Sequence, residues 1–356
     1  MPRPRRSFAG PFAACILAGA ALGFARPMHS LPPLTWGTRA APAPHRLYRW
    51  KGDVAFRLGE TAFGRSGQLR VAVADPLRQV NLPIEWTGVQ PSTLRYRWVP
   101  VNGTQPRTLV GEGWVSAGLT APAEAGAWRL QVTAPDGVTQ RVEELTLVTR
   151  VPFSEKGGDG YLNGYQIGRY VAEANGVRDG AYAPPPGFIE VTPFNQDMPV
   201  STHFRLRNFL TKNQFSVWPK YMALDLRLID KLELVLQELN AMGVRAENMA
   251  VMSGFRTPAY NLQGVGEGGR ALLSRHTYGD ASDVWVDNDT DGYIDDLNGD
   301  GQRDTRDILV MLRAVERVER RYPELIGGAG VYNGNGAHGP FIHIDARGYH
   351  ARWGLE

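Results

Sequence analysis

The chain has 356 residues, 43% of them hydrophobic, and a formal net charge of only +3. That is enough apolar material for more than one core, while the absence of a basic stripe interleaved with aromatics argues against nucleic acid as a partner. The single cysteine, Cys15, excludes an intrachain disulfide and any thiolate metal site, so a metal would have to be held by histidine and carboxylate.

In chain order, Arg3, Arg5 and Arg6 precede an apolar run from Phe8 to Phe24, and no further charge follows until Arg26. This reads as an export signal over residues 1–26, which places the mature protein outside the cytoplasm, in the periplasm or with the cell envelope. Arg5-Arg6-Ser7-Phe8 resembles the core of a twin-arginine signal. Phe12-Ala13-Ala14-Cys15 faintly resembles a lipoprotein box, but the apolar run continues past Cys15, which argues against cleavage there. The run is near the lower length limit of a membrane helix, so an uncleaved single-span anchor is the alternative and the only expected membrane contact. Residues 27–46, rich in proline and small residues, read as a linker.

From 47 to 151 short alternating segments follow one another: Leu69–Val73, Leu94–Val99, Trp128–Val132 and Leu145–Val148, punctuated by turns such as Ala134-Pro135-Asp136-Gly137. Strands of period two at intervals of roughly ten to fifteen residues predict an all-β sandwich of immunoglobulin-like type. It carries no evident chemistry, and a spacing or docking role is expected.

A second domain, 152–356, reads as α+β, with helices flanking a small antiparallel sheet. Leu224, Leu228, Leu232, Val235, Leu236 and Leu239 recur at helical spacing until Gly243. Met249–Met252 predicts a buried strand. Ile308, Leu312, Val315 and Val318 mark a second helix that begins at Asp307 and ends before Pro323. Further strands are expected after Asp280 and around Phe341.

Two imidazoles and a carboxylate stand out in this domain: His276, Asp283 and His343. His276 and Asp283 are seven positions apart, too far for one helical turn but suited to the two ends of a loop that turns at Gly279 and enters a strand. Alternation then lets Asp283 face one way and Val284 and Val286 the other. A catalytic zinc takes three such nitrogen and oxygen ligands and leaves its fourth position to water. The competing reading is a pair of surface histidines beside an acidic loop.

Three separated motifs add to this: Ser253-Gly254-Phe255-Arg256-Thr257-Pro258, then Ser274-Arg275-His276-Thr277-Tyr278-Gly279-Asp280-Ala281-Ser282-Asp283, then Phe341-Ile342-His343-Ile344-Asp345. Together with Tyr161-Leu162-Asn163-Gly164-Tyr165 and Ser201-Thr202-His203-Phe204, this pattern resembles the zinc D-alanyl-D-alanine peptidase family. That family's superfamily also holds the lysostaphin-type endopeptidases and the hedgehog signalling domain. The similarity runs from about Tyr161 to Trp353, roughly half the chain. It implies zinc ligands at His276, Asp283 and His343, and a substrate-holding role for Arg256 near the reacting carbonyl or carboxylate.

One departure matters. Members of that family place an acid three residues before the last zinc histidine, or a second histidine two residues before it, as general base. Pro340 and Phe341 occupy those positions here and cannot take a proton. Asp345, on the same strand face as His343, and His338, in a glycine-rich loop, are the candidates for the role. The alternative for Asp345 is an orienting partner of an arginine or of a ligand histidine, and for His338 an exposed loop residue.

An acidic segment, 287–307, lies between the first two ligands and the last. Counted from Asp296, oxygens fall at positions one, three and five (Asp296, Asn298, Asp300), with Gly301 at six and Asp307 at twelve, the arithmetic of an EF-hand calcium loop. Asp287, Asp289, Asp291 and Asp295 form a second, overlapping set. So many carboxylates should repel one another without a cation, which predicts one or two structural calcium ions; the alternative is a solvated acidic insertion. The reading as a whole is an exported zinc metallopeptidase that cleaves peptidoglycan stem peptides, as a D,D-carboxypeptidase or an endopeptidase. Its rival is a non-catalytic cell-wall binding or scaffold protein that keeps the zinc site.

Overall fold

The computed structural model describes residues 46–51, 53–101, 111–175, 180–266, 269–335 and 338–354. The expected export signal, Cys15 and nearly all of the expected linker lie outside these residues. No helix among the described residues is long and apolar enough to cross a membrane.

The first part of the chain is built of strands. β1 (Tyr48–Arg49), β2 (Val54–Leu58), β3 (Val71–Ala74), β4 (Ile84–Trp86), β5 (Arg95–Pro100), β6 (Glu112–Trp114), β7 (Gly126–Thr133) and β8 (Thr139–Thr149) form two sheets, ordered β1-β2-β4 and β3-β8-β7-β5-β6. Alternation explains their common core. Phe56 and Leu58 from one sheet, and Tyr96, Trp98, Trp128, Leu130 and Val132 from the other, point into a single apolar cluster. The turn at Ala134–Gly137 is closed by the Gly137 N–H on the Ala134 carbonyl at 2.9 Å. β8 runs well beyond the segment expected for it, because its start pairs with the end of β7. It also pairs in parallel with β3, which closes that edge of the sheet.

The second part adds a small sheet of β9 (Val151–Pro152), β10 (Gly187–Val191) and β11 (Lys220–Met222), and then the elements that carry the site. These are helix α1 (Leu226–Ala241), strands β12 (Met249–Ser253) and β13 (Ala281–Val286), helix α2 (Thr305–Arg321), and strands β14 (Gly328–Tyr332), β15 (Phe341–Asp345) and β16 (Ala351–Trp353). α1 starts where Asp225 accepts the Arg227 N–H. α2 starts two residues before the expected Asp307, because Asp304 accepts the Arg306 N–H and caps the helix; Asp307 becomes the reciprocal member of a capping box.

The five strands are ordered β12-β13-β15-β14-β16. The sheet is not wholly antiparallel as expected. After β15 the chain re-enters the sheet on the far side of β14, so β16 lies parallel to β14. Val284, Val286, Ala329, Val331, Ile342 and Ile344 join the main core together with the apolar stripes of α1 and α2, which pack on each other and against β14 and β15. Alternation then leaves Asp283, Gly330 and His343 to the opposite face. The same core takes in Leu69, Val71, Ala127, Val148 and Val151, so the two parts of the chain share apolar packing. Asp230 of α1 adds a polar tie by accepting the backbone N–H groups of Arg65 and Ser66 at 2.7 and 2.8 Å.

Candidate metal centre

One row of residues across the five-stranded sheet builds the site. Ser253 of β12 faces Asp283 of β13, Asp283 faces His343 of β15, His343 faces Gly330 of β14, and Gly330 faces Trp353 of β16. Directly opposed residues share a face, with Cβ atoms about 4.5–5.5 Å apart, so two ligands arrive side by side from backbone pairing alone.

His276 comes from outside the sheet, on the 3-10 turn Arg275–Tyr278. Gly279 ends this turn in the left-handed conformation at φ 76°, and a Cβ there would lie 2.3 Å from the Ala223 backbone, so glycine is required twice over. The Arg256 N–H donates to the His276 carbonyl at 3.1 Å, and His276 Nδ1 lies 2.7 Å from the Gly254 carbonyl oxygen.

Three atoms then converge. His276 Nε2 is 3.1 Å from Asp283 Oδ1, His343 Nδ1 is 3.0 Å from the same oxygen, and the two nitrogens are 3.2 Å apart. The Gly254 carbonyl can only accept, so the His276 proton sits on Nδ1 and Nε2 presents a lone pair. Asp345 Oδ2, 3.1 Å from His343 Nε2, places the His343 proton on Nε2 and frees Nδ1. Two lone pairs and a carboxylate oxygen facing one another in a buried site repel unless a positive charge stands between them. Zinc at about 2.0–2.1 Å from each ligand in tetrahedral geometry sets the ligands about 3.3 Å apart, close to the triangle observed, so these residues fit the ion.

The surroundings hold the triangle in place. Arg256 donates from Nε to Ser253 Oγ at 2.8 Å and from its terminal nitrogen to Asp283 Oδ2 at 2.5 Å. Burial pushes His276 below the ordinary histidine value. Burial acts upward on Asp283, but in the metal-free protein the two imidazoles, once protonated, outweigh it and hold that carboxyl well below the usual range. His343 moves up: its burial acts downward and is outweighed by its bonds to Asp283 and Asp345.

Gly330 lets the Trp353 ring reach His343, with ring centres 5.2 Å apart. A Cβ at Gly330 would stand 2.1 Å from that indole. Gly330→Ala should therefore displace Trp353 and destabilise the fold by about 1–3 kcal/mol. A thermal melt and the near-ultraviolet dichroism of the variant, both set against wild type, measure this.

Of the residues singled out in the sequence, His276, Asp283, His343 and Arg256 come together. Asp345 does not face the converging atoms. It lies behind the His343 ring, fully buried, where Arg347 Nε at 2.9 Å and the Gly328 N–H at 2.7 Å also bind its carboxylate. With its oxygens engaged there, Asp345 contacts the His343 ring from behind and stands away from the three converging atoms. His338 is not part of the cluster either. Its Nδ1 is 2.9 Å from the Gly339 carbonyl oxygen, its Nε2 is 2.9 Å from Asn335 Nδ2, and its ring stands edge-on to Phe341. Trp353 is not legible in the sequence, because the pairing that brings it to the site has no local signature, whereas Arg347 lies two residues past Asp345 and that spacing is the signal that could have found it.

In the acidic segment, Asp287, Asp289 and Asp295 bring carboxylate oxygens within 4.8 Å of one another. Among the described residues Asp296, Asp300 and Asp307 form no such cluster. Asp296 accepts the N–H groups of Gly299, Asp300 and Gly301; Asn298 accepts that of Asp300; Asp307 accepts those of Leu297 and Asp304. Part of this negative charge is offset within the chain. Arg303 pairs with Asp289 and Asp291, and Arg306 with Asp300 and Asp304. Comparison of the chain with protein-family models, curated proteins and solved structures finds no match.

Proposed function

We propose that this protein is an exported zinc-dependent peptidase that acts on peptidoglycan stem peptides. The convergence of His276 Nε2, Asp283 Oδ1 and His343 Nδ1, each with its second atom held by a neighbour, is the observation that carries this reading. Zinc held by these three residues would supply Lewis acidity and a bound water that ionises near neutral pH. The residues do the rest. Gly254 and Asp345 fix which nitrogen of each imidazole faces the centre. Asp283 shares its carboxylate between that centre and Arg256. The Arg256 guanidinium, partly exposed, stands where it can bind a substrate carbonyl or carboxylate. Digestion of purified peptidoglycan with and without a zinc chelator, with products identified by mass, tests the proposal. Chelator-sensitive release of D-alanine or of uncrosslinked stems supports it; intact peptidoglycan with zinc bound defeats it.

A non-catalytic cell-wall binding role is the second reading. Pro340 and Phe341 favour it, as does the placement of Asp345 behind His343, since no protonatable side chain stands at the positions a base takes in the family the sequence resembles. Normal peptidoglycan binding without cleavage would establish this role.

Calcium is proposed as a structural ion of the 287–307 segment, with Asp287, Asp289 and Asp295 as the most closely gathered group and the Asp296–Asp307 loop as the second. A ligand that binds only the folded state stabilises it by about 2.7 kcal/mol at a hundred times its dissociation constant. Melts in calcium should therefore lie several degrees above melts in a calcium-selective chelator. Superimposable melts, with zinc content unchanged, would remove calcium from the account.

A further inference from the structure

We infer that Lys231 and Glu319, on the two helices behind the sheet, are positioning residues for the metal centre: they clamp the strand ends from which Asp345 holds the His343 ring. This rests on the metal-centre reading above. Lys231 of α1 has no solvent exposure, which is rare for a lysine. Its Nζ donates to Glu319 Oε1 at 2.6 Å and to the backbone carbonyl of Asp345 at 2.7 Å. Glu319 of α2 is also buried. Its Oε1 accepts the Gly327 N–H at 3.0 Å, and its Oε2 accepts from Arg352 at 2.5 Å. Arg352 in turn donates to the Gly327 carbonyl at 3.0 Å.

One ion-paired cluster thus gathers the end of β15, the start of β14 and the middle of β16. Asp345 stands at that junction. Its backbone is fixed by Lys231 from the helix side. Its carboxylate, steadied by Gly328 and Arg347, accepts from His343 Nε2 and keeps Nδ1 turned toward Asp283. If the cluster slackened, the His343 ring could tilt, and the ligand triangle would open.

Stability alone accounts poorly for such an arrangement. Desolvating two charges offsets most of what their attraction returns, and well-packed apolar replacements of buried ion pairs are often as stable or more so. What an apolar pair cannot do is bond a particular carbonyl and a particular N–H on separate strands, and these are the contacts that set the angle of the Asp345 side chain.

The test uses the full chain and two variants, Lys231→Met and Glu319→Gln, with Leu239→Ala as a control. Leu239 is buried on α1 eight residues beyond Lys231, about 12 Å along the helix, so its truncation destabilises the helix packing while leaving the residues of the cluster unchanged. Zinc affinity is measured by competition with a chromophoric chelator, and ligand geometry by the visible spectrum of the cobalt-substituted protein. Outer partners of metal ligands typically govern about ten- to a hundredfold in affinity. Both cluster variants act through Asp345, one contact further out, and should lose up to about tenfold in affinity, the lower end of that range, and shift the cobalt bands. Leu239→Ala, by contrast, lowers the melting temperature and leaves both readouts at wild type. Should Lys231→Met fail to fold, Glu319→Gln, which keeps the side chain's shape, decides the matter. Wild-type affinity and an unchanged cobalt spectrum in the folded variants would overturn the inference. A wild-type protein that binds no zinc would instead overturn the metal reading beneath it, an outcome visible before any variant is made.

Discussion

His276→Ala should leave the protein without its metal. Structural zinc sites with four protein ligands bind with apparent energies of about 10–16 kcal/mol, or ~3 kcal/mol per ligand. Losing one of the three ligands here should therefore lower affinity by at least about a hundredfold and hydrolysis to background. Metal analysis should give about one zinc per chain in the wild type and little in the variant. The cluster around Phe56, Trp98 and Trp128 is distant in sequence and separately packed, so near-ultraviolet dichroism from those rings should persist. Full zinc content in His276→Ala would remove the ligand assignment. Acid should act in the same direction, because the imidazoles bind metal only when unprotonated. In the metal-free protein His343 is displaced upward and His276 downward, so on acidification His343 takes its proton first. Affinity should then begin to fall above the ordinary histidine value, and a zinc titration across pH reads this directly.

Arg256→Met should cost about a hundred- to a thousandfold in turnover at saturating zinc, the range for loss of a group that stabilises developing charge. Some weakening of zinc, about ten- to a hundredfold, should accompany it, because Arg256 also holds the outer oxygen of Asp283. Saturating zinc separates the two effects. Lysine at this position should not restore activity, since an ammonium cannot span Ser253 Oγ and Asp283 Oδ2 as the planar fork does. Normal turnover in Arg256→Met at saturating zinc would reduce the arginine to an orienting partner of Asp283.

How much of the site was legible in advance differs from residue to residue. The pairing of His276 with Asp283 is legible from spacing, because a short loop and a strand keep their geometry wherever the domain is placed, whereas His343 enters by residue type and order and Arg256 only through the resemblance to a known family. For Asp345 the sequence leaves two roles open, because strand alternation does not choose between them. The ring of His343 chose, by turning Nε2 and not Nδ1 toward that carboxylate. His338 is near His343 in sequence, but its side chain meets Asn335 instead. The acidic segment was read by counting oxygens. Counting omits the arginines at 303 and 306, whose charges reach the same carboxylates through space.

The sequence by itself determined the local facts: period-two strands in the first part, the stripes that bury α1 and α2, the turn at Gly279 that lifts His276, and the residue types able to hold a metal. Each follows from interactions among residues close in the chain, where periodicity and backbone preference suffice. Only the tertiary structure decided the register that sets Asp283 against His343, the return of the chain beyond β14 that lays Trp353 over Gly330, and the buried meeting of Lys231, Glu319 and Arg352 behind Asp345. Those depend on pairings between distant segments, and burial of the whole sheet against two helices fixes them at once, because a slip of one residue would turn every side chain to the wrong face.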